Sequence, residues 1–379
     1  MPLTRVQGTE SLGERYDLAF IACAVALLAL GLVMVVSAST SIAARTHGDP
    51  LYYLWRQGAF LAVGGLAGWA TTRVPVAVWH RAGPLLLVAS AVLLAAVLVP
   101  GVGREVNGSM RWFRVGPISV QPSELVKLAV AAYLAGYLVR RAEEVRRSFS
   151  GFLKPVTLLV IISVLLLLEP DYGATVVLFV TALGMLFLGG VPFLTFAAWA
   201  GIIAGALAVV VVAAPYRVER LLSFLDPWAD PFGSGFQLTQ ALIAIGRGEW
   251  LGVGLGESVQ KLFYLPEAHT DFLFAVLAEE LGLVGAVGVI GLFTFLVVRA
   301  MGIGRHAESV GQHYSAYLAY GLALLFGLQA FVNIGVNLGI LPTKGLTLPL
   351  MSYGGSSLIT NCIAVGLLVR IDHEARMRG

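Results

Sequence analysis

One polar segment, residues 261–282, carries the side chains best suited to chemistry. It places Lys261 and His269 shortly before Asp271, and a long apolar run follows. This pattern predicts a loop leading into a helix, with Thr270 as the N-cap and Asp271 in the first turn. A carboxylate in that place can act as a general base on a hydroxyl group. An acid in a first turn is also favoured by the helix macrodipole alone, so a structural Asp271 stays open.

Two further acids, Glu279 and Glu280, lie eight and nine residues beyond Asp271. On one helix they would be roughly 12 Å or more along the axis from Asp271. The carboxylates of a glycosidase pair stand roughly 5–10 Å apart, so this helix alone does not supply such a pair. The sequence also has no serine nucleophile elbow, histidine-rich zinc motif or Walker loop. One carboxylate therefore remains as the reactive candidate, and these residues predict no metal site.

Positively charged side chains occur in the polar loops that we expect on the same side of the membrane as Asp271. They are Arg111, Arg114, Lys127, Lys261 and Lys344. A carboxylate beside such cations suits the deprotonation of a hydroxyl next to an anionic lipid headgroup. The same set would also suit binding or moving such a headgroup without any chemistry.

Glu124 and Lys127 form the second candidate group. Pro122 and Ser123 mark a helix start, so the two charged residues, three positions apart, share one face of the first turns. An ion pair at this depth in a membrane span is costly unless both members are used. A self-neutralising structural pair and a direct substrate contact both fit this pattern.

Two glycine-containing segments are predicted to shape the same side of the protein. The Gly354-Gly355-Ser356-Ser357 sequence opens a helix and could present N–H groups to an anion, although a plain helix cap explains it equally well. Residues 169–173, Glu-Pro-Asp-Tyr-Gly, predict a tight turn.

These residues must be positioned by membrane helices. The chain is 58% hydrophobic and 12% charged, with a mean hydropathy of +0.84, which excludes a soluble globular domain. Helices satisfy their own backbone in lipid, so we expect an all-α polytopic membrane protein of about ten transmembrane helices. The apolar runs cover residues 18–39, 58–72, 85–99, 123–139, 155–168, 174–188, 193–214, 271–298, 316–341 and 358–371.

We expect a single integral membrane domain, residues 1–379, with one large extracytoplasmic loop at 215–270 between helices 7 and 8. Within that loop, residues 237–245 are amphipathic and too short to span, which predicts a helix at the membrane interface. The Gly-rich residues 246–256 follow no strand, so a nucleotide-binding loop is not expected. No basic cluster with interleaved aromatic residues indicates nucleic acid. Cys23 and Cys362 fall in apolar runs, which excludes a disulfide framework.

Arginines set the predicted orientation. They are concentrated in short loops around residues 73–81, 140–154 and 299–305 and at the C-terminus. By the positive-inside rule these loops and both termini are expected in the cytoplasm. Residues 101–122 and 215–270 then face outward.

Several of these segments together resemble one family. Residues 264–275, Tyr-Leu-Pro-Glu-Ala-His-Thr-Asp-Phe-Leu-Phe-Ala, followed by Glu-Glu-Leu-Gly at 279–282, are similar to the SEDS family, the RodA and FtsW proteins of bacterial wall synthesis. The loops at 103–127, 169–173 and 341–357 carry the same resemblance. It covers most of the chain and does not separate the elongation protein (RodA-like) from the division protein (FtsW-like).

The resemblance implies a function and a location. SEDS proteins are glycosyltransferases that polymerise lipid II into glycan strands at the outer face of the bacterial cytoplasmic membrane. Their usual partner is a class B penicillin-binding protein, which crosslinks the strands. Two other classes stay open: a flippase for lipid-linked precursors, and a non-catalytic scaffold for a penicillin-binding protein. The intramembrane acids Glu279 and Glu280 suit a flippase, although no internal repeat is evident.

The resemblance also implies roles for individual residues. Asp271 matches the family's essential aspartate and would act as general base on the 4-hydroxyl of an acceptor sugar. Undecaprenyl pyrophosphate would leave with inversion at the anomeric carbon. Lys261 and Arg111 are expected to neutralise that leaving group, and a divalent cation such as magnesium would share the role. The remaining members expected to support or bind the substrate are Glu124, Lys127, His269, Lys344 and Ser356.

Overall fold

The computed structural model describes residues 16–106, 109–116, 118–147, 149–212, 224–342 and 345–378. Twelve helices and three short strands lie in these ranges. The helices are α1 (Leu18–His47), α2 (Tyr52–Arg73), α3 (Val76–Val97), α4 (Pro122–Arg140), α5 (Ala142–Arg147), α6 (Phe149–Leu168), α7 (Tyr172–Leu188), α8 (Phe193–Val212), α9 (Phe236–Arg247), α10 (Leu273–Ser309), α11 (His313–Asn337) and α12 (Gly355–Arg376).

The fold class predicted from the sequence is confirmed. Seven helices in the described ranges are long and apolar enough to cross a membrane, and the shorter apolar helix α7 adds to them. With α2 and α8, each predicted apolar run corresponds to one long helix. The chain is therefore a multi-pass, all-α membrane protein. The predicted amphipathic segment is also a helix, α9, which buries Leu238, Ala241 and Ala244 and exposes the opposite face.

Helices α4 and α11 form the centre of the bundle. In the most apolar 18-residue stretch of α4, 83% of the residues are buried inside the protein, and in that of α11 the share is 72%. The corresponding share is only 28% in α3 and in α10. Four alanines and one glycine are among the fifteen buried residues of α4, and these small side chains let neighbouring helices approach closely. The apolar faces of α3 and α10 are consequently left for lipid.

Helices α2 and α12 pack closely because glycines remove the side chains between them. A Cβ atom on Gly68 would lie 2.7 Å from the carbonyl oxygen of Cys362, and one on Gly366 would lie 2.3 Å from the carbonyl oxygen of Gly68. Both distances are too short for a methyl group. This contact fixes α2 against α12 in a single register.

The connection between α3 and α4 contains a small antiparallel sheet that the sequence analysis did not predict. Its strands, β1 (Arg104–Val106), β2 (Ser109–Val115) and β3 (Ile118–Val120), lie in the order β1-β2-β3. Arg104 pairs with Trp112 in one ladder, and Phe113 pairs with Val120 in the other. The sequence contained a sign of this sheet, because the dipeptide Asn107-Gly108 is typical of a tight hairpin turn.

The predicted start of α10 is wrong. The helix begins at Leu273, so Asp271 lies in the preceding turn and not in the first helical turn. Thr270 is not the N-cap, because its hydroxyl donates to the backbone oxygen and the carboxylate of Glu267. Local turn hydrogen bonding by a threonine side chain has here replaced helix capping.

A break divides α10 at Gly282, whose φ of 68° and ψ of −167° are not helical. The loop that follows α9 satisfies the backbone groups around the break. The amides of Leu283 and Val284 donate to the carbonyl oxygens of Glu249 and Trp250. In return, the amides of Val253 and Gly254 donate to the carbonyl oxygens of Glu279 and Glu280. Loop and helix are therefore one hydrogen-bonded unit.

We expect Gly282→Ala to destabilise the protein by about 2–5 kcal/mol, because this backbone conformation is nearly exclusive to glycine and the new methyl group would overlap backbone. Its Cβ would lie 2.3 Å from the amide nitrogen of Gly252. Gly288→Ala, in the helical part of α10, is the matched control, since a Cβ there meets no atom within 4 Å. Thermal unfolding in detergent measures both. Equal midpoints of thermal unfolding for Gly282→Ala and Gly288→Ala would contradict a requirement for glycine at the break in α10.

Candidate active site

A cavity of about 730 Å³ opens at the end of the bundle where α1 ends and α2, α4, α7, α10 and α12 begin. Its wall includes residues from the α1–α2 corner, the small sheet, the starts of α4 and α7, the loop before α10 and the loop before α12. They include His47, Tyr52, Tyr53, Arg56, Arg104, Arg111, Gln121, Glu124, Asp171, Glu267, His269, Asp271, Gly345, Tyr353 and Ser356. Distant parts of the chain thus meet around one polar space.

Asp271 is held in the cavity wall by its backbone. The side-chain amides of Asn333 and Asn337, one turn apart on α11, both donate to its carbonyl oxygen, at 2.9 and 3.0 Å. Asn337 also accepts from the amide of Ala275 in the first turn of α10. Gly345 lies against the carboxylate, since a Cβ there would be 3.2 Å from Oδ2. The backbone is fixed while the carboxylate faces the cavity.

The surroundings of Asp271 favour its neutral form. Burial is the main cause, and with the nearby carboxylates of Glu267 and Asp171 it raises the pKa of Asp271 to about 7, against the opposing charge of Arg111. Among the described residues, no side chain donates a hydrogen bond to this carboxylate. A carboxylate with a pKa close to neutral is suited to take a proton from a hydroxyl group.

His269 is packed between aromatic rings. Its imidazole centroid lies 4.5 Å from the ring of Tyr53 and 5.5 Å from that of Tyr353, and its carbonyl oxygen accepts from the amide of Tyr353. Burial lowers the pKa of His269, against the opposing influence of Glu267. The ring therefore stays neutral at physiological pH and supports the wall beside Asp271.

Arg111, on β2, holds the turn before α7. Its Nε donates to the carbonyl oxygen of Glu169 at 2.8 Å, and Nη2 donates to that of Pro170 at 2.7 Å. The predicted tight turn is present, and Asp171 caps α7 by accepting from the amide of Ala174. Burial and the neighbouring Asp171 raise the pKa of Glu169 to about 8, against Arg111. The guanidinium of Arg111 is thus oriented by two carbonyl oxygens while it lines the cavity.

The predicted ion pair between Glu124 and Lys127 is present. Lys127 Nζ lies 2.9 Å from the carboxylate of Glu124, and both side chains are at least nine-tenths buried. Glu124 lines the cavity, whereas Lys127 lies behind it. The pair forms part of the cavity floor.

Ser356 joins α12 to the sheet. Its hydroxyl accepts from the amide of Gln121 at 2.9 Å and lies 3.3 Å from the carbonyl oxygen of Ser119, to which it donates. The predicted helix start at Gly355 is present. Ser356 therefore lines the cavity and closes the junction between the starts of α4 and α12.

Lys261 does not line the cavity. It is buried and paired with Glu280, at 2.7 Å, on the far side of the loop that carries Asp271. Its assignment to the leaving group was wrong because the sequence did not show that a carboxylate on α10 would neutralise it. Lys344 lies outside the described residues, so its predicted role stays a prediction.

Sequence reasoning missed several cavity residues. Arg56 is the most informative, because its guanidinium donates to the hydroxyl of Tyr52 and lies over the rings of Tyr52 and Phe60. Tyr52, Tyr53 and Arg56 lie in the first turns of α2. An arginine and two tyrosines at the end of a span could have been recognised in the sequence as candidate site residues, and they were overlooked. Among the residues the structure describes, no group of three or more His, Cys, Asp or Glu side chains is arranged to hold a metal ion.

Comparison with known proteins gives the family. The family model described as "Cell cycle protein", whose name joins FtsW, RodA and SpoVE, matches residues 17–377. The probable peptidoglycan glycosyltransferase FtsW of Nitrosococcus halophilus is 59% identical over 360 residues, which cover 95% of this chain and 93% of the relative. The protein of the same name from Thioalkalivibrio sulfidiphilus is 57% identical, with 96% and 91% covered.

Solved structures share the fold. A chain of a peptidoglycan synthase complex, in a structure concerned with the coordination of polymerisation and crosslinking, superposes with a TM-score of 0.78 at 33% identity, covering 96% of this chain and 99% of that one. The rod shape determining protein RodA of Thermus thermophilus gives a TM-score of 0.70 at 31% identity, with 96% and 98% covered. The family match, the relatives and the shared fold agree, and this chain belongs to the FtsW/RodA/SpoVE family of cell cycle proteins.

Proposed function

We propose that this chain is a peptidoglycan glycosyltransferase that polymerises lipid II into glycan strands. The observation that carries the proposal is the half-buried carboxylate of Asp271, with its pKa raised to about 7, in a cavity also lined by arginines. The proteins of similar sequence bear the name probable peptidoglycan glycosyltransferase. A general base near neutral pH beside cations suits glycosyl transfer from a pyrophosphate-linked donor.

In the proposed reaction, Asp271 takes the proton from the 4-hydroxyl of the acceptor sugar. The oxygen forms a bond to the anomeric carbon of a second lipid II as the bond from that carbon to the pyrophosphate oxygen breaks. The configuration inverts, undecaprenyl pyrophosphate leaves with the electron pair, and the proton stays on Asp271 until solvent takes it. The base and the acceptor oxygen must lie within hydrogen-bond reach for this step.

Negative charge develops on the leaving pyrophosphate and requires fixed cations. Arg56, Arg104 and Arg111 line the cavity and supply that charge in the proposed site. Arg111 is oriented by two backbone oxygens, so it contributes without reorganisation. Each guanidinium can bind a phosphate group through two N–H donors.

We propose the division branch of the family for this chain, because the relatives at 53–59% identity bear the name FtsW. A class B penicillin-binding protein is the proposed partner. A solved relative in a peptidoglycan synthase complex supports a shared assembly of polymerising and crosslinking subunits.

We also propose that the cavity end faces outward across the cytoplasmic membrane and that both termini are cytoplasmic. The short arginine-rich loops at 73–81, 140–154 and 299–305 lie at the opposite end of the bundle, together with the C-terminus. Single cysteines at Ala229 and Ser309, both exposed and at opposite ends, test this orientation. An impermeant thiol reagent applied to intact cells should modify Ala229→Cys and spare Ser309→Cys. Modification of Ser309→Cys with protection of Ala229→Cys would mean that the cavity end faces the cytoplasm.

The proposed function predicts a pH dependence. Since the pKa of Asp271 is raised to about 7, the base is mostly protonated below that pH and ionised above it. We expect polymerisation of lipid II by the purified protein to rise about tenfold per pH unit below about pH 7 and to level off above it. Binding of lipid II over the same range is the control. A rate that stays constant between about pH 5 and pH 8 would argue against Asp271 as the base.

A further inference from the structure

Lys261, Glu280 and Ser37 form a closed triangle of hydrogen bonds outside the cavity. Lys261 Nζ lies 2.7 Å from Glu280 Oε1 and 3.0 Å from Ser37 Oγ. The hydroxyl of Ser37 is in turn 2.6 and 2.8 Å from the two oxygens of Glu280. The side chains of Lys261 and Glu280 are 7% and 0% exposed, so the ion pair is shielded from water, while Ser37 is half-buried. One ion pair therefore joins α1, α10 and the loop before Asp271.

The neighbouring acid, Glu279, binds the same loop from the other side. Its carboxylate accepts from the hydroxyl of Ser258 at 2.5 Å and from the amides of Val259 and Gln260 at 3.1 and 3.4 Å. It is fully buried, and Arg247 reaches it at 3.8 Å. Two consecutive residues of α10 thus hold four consecutive residues of the loop, 258–261.

Helix α1 and the start of α2 contact the loop at further points on the way to Asp271. The guanidinium of Arg45 lies 4.8 Å above the ring of Phe263. Further along, the ring of Tyr53 lies 4.5 Å from that of His269. With the hydrogen bond between Lys261 and Ser37, helix α1 and the start of α2 therefore hold this loop at three places. The last of them is two residues from Asp271.

We infer that Lys261, Glu280 and Ser37 are positioning residues for Asp271. They fix the loop and the first part of α10, between Leu273 and the break at Gly282, against α1, and so set where the carboxylate stands in the cavity. This inference rests on the proposed function of Asp271 as general base. It assigns Lys261 to the placement of the base and not to the charge of the leaving group.

Stability alone does not account for the charges in this triangle. A buried ion pair can often be replaced by uncharged side chains of similar volume with little loss, whereas removal of one partner leaves an uncompensated charge. Solvent-exposed ion pairs contribute little to stability, but this pair is buried. What the pair supplies is a fixed geometry between three segments, and small displacements of a catalytic group can cost about 100-fold in rate.

The test compares Lys261→Met, Glu280→Gln and the double variant in the full-length purified protein. Either single change should lower the midpoint of thermal unfolding, and the second change should restore most of it. The double variant should bind lipid II within about twofold of the parent, yet its turnover at saturating lipid II should fall about tenfold or more. Lys154→Met, at a half-exposed lysine paired with Glu144, is the matched control and should change neither quantity.

A second measurement does not depend on activity. Thr270 lines the cavity next to Asp271, and Cys23 and Cys362 are buried, so Thr270→Cys offers a single reactive thiol. A small thiol reagent should modify it several-fold faster when Lys261→Met and Glu280→Gln are also present, because the loop is released. If the parent makes no polymer, the proposed function fails, and this labelling still decides the positioning role.

Two results would overturn the inference. Weaker binding of lipid II by the double variant, with normal turnover at saturation, would place Lys261 in contact with the substrate. Parental turnover together with parental labelling would leave the triangle as a packing feature. A change in the pH dependence of the rate would support the inference. In the double variant the loop is released and Asp271 gains water, which lowers its pKa, while Glu267, Asp171 and Arg111 still face it. The acid side of the pH–rate profile should then shift to lower pH.

Discussion

Asp271→Asn should reduce polymerisation of lipid II by about 100- to 10,000-fold, the range that a general base contributes. The amide has nearly the same volume as the carboxylate but cannot accept the proton. The loss should therefore lie in turnover at saturating lipid II, with binding preserved. The measurement is glycan chain formation by the purified protein with no other glycosyltransferase present.

The variant should fold, because the structure gives the carboxylate no capping role. Helix α10 begins at Leu273, and the contacts from Asn333 and Asn337 go to the backbone oxygen of Asp271. Asp226→Asn, at an exposed aspartate outside the cavity, is the matched control and should retain full activity.

The same variant separates the competing functions. A flippase would lose translocation while another protein polymerised the precursor, and a scaffold would lose neither activity. Near-parental glycan chains from folded Asp271→Asn protein would remove Asp271 from the chemistry.

Removing one member of the Glu124–Lys127 pair should destabilise the protein by about 3–5 kcal/mol, since the remaining charge is left buried. Both side chains are less than one-tenth exposed, and Lys127 Nζ lies 2.9 Å from the carboxylate of Glu124. Glu124→Gln with Lys127→Met should recover most of the loss, because no charge remains. Thermal unfolding of the two single variants and the double variant gives the interaction free energy between the two side chains.

An exposed pair provides the comparison for this experiment. Glu143 and Arg147 are four residues apart on α5, 3.2 Å from each other, and their side chains are 79% and 82% exposed. The same substitutions there should cost less than about 1 kcal/mol singly and show little coupling. Strictly additive losses at Glu124 and Lys127 would mean that the two charges do not support each other in the membrane.

The sequence predicted the membrane helices well, because long apolar runs admit few alternatives in lipid. It placed their ends less well. Helix α2 begins at Tyr52, six residues before the run predicted for it, since tyrosines and an arginine at a span end lower the apparent hydropathy. Helix α10 starts later than predicted because Thr270 bonds to Glu267 within the turn.

Much of the cavity wall was predictable for a chemical reason. Asp271 and Glu124 are ionisable residues at span ends, where lipid makes unused charge expensive. Their meeting in one cavity was not predictable, because it depends on how helices distant in sequence pack. Lys261 shows the limit most clearly. Nothing in its own loop indicates that Glu280 and Ser37 would neutralise and bury it.

The glycine contact between α2 and α12 has a mechanical consequence for the cavity. Tyr53 and Arg56 on α2 and Ser356 on α12 line the same space, and the two helices are locked by Gly68 and Gly366. This wall therefore keeps its shape wherever α2 and α12 lie in the bundle. The opposite wall carries Arg111 and Asp271, which are held by hydrogen bonds to the turn before α7 and from α11. Both walls are thus formed before a ligand enters, so a ligand that fits the cavity loses little binding free energy to reshaping the protein.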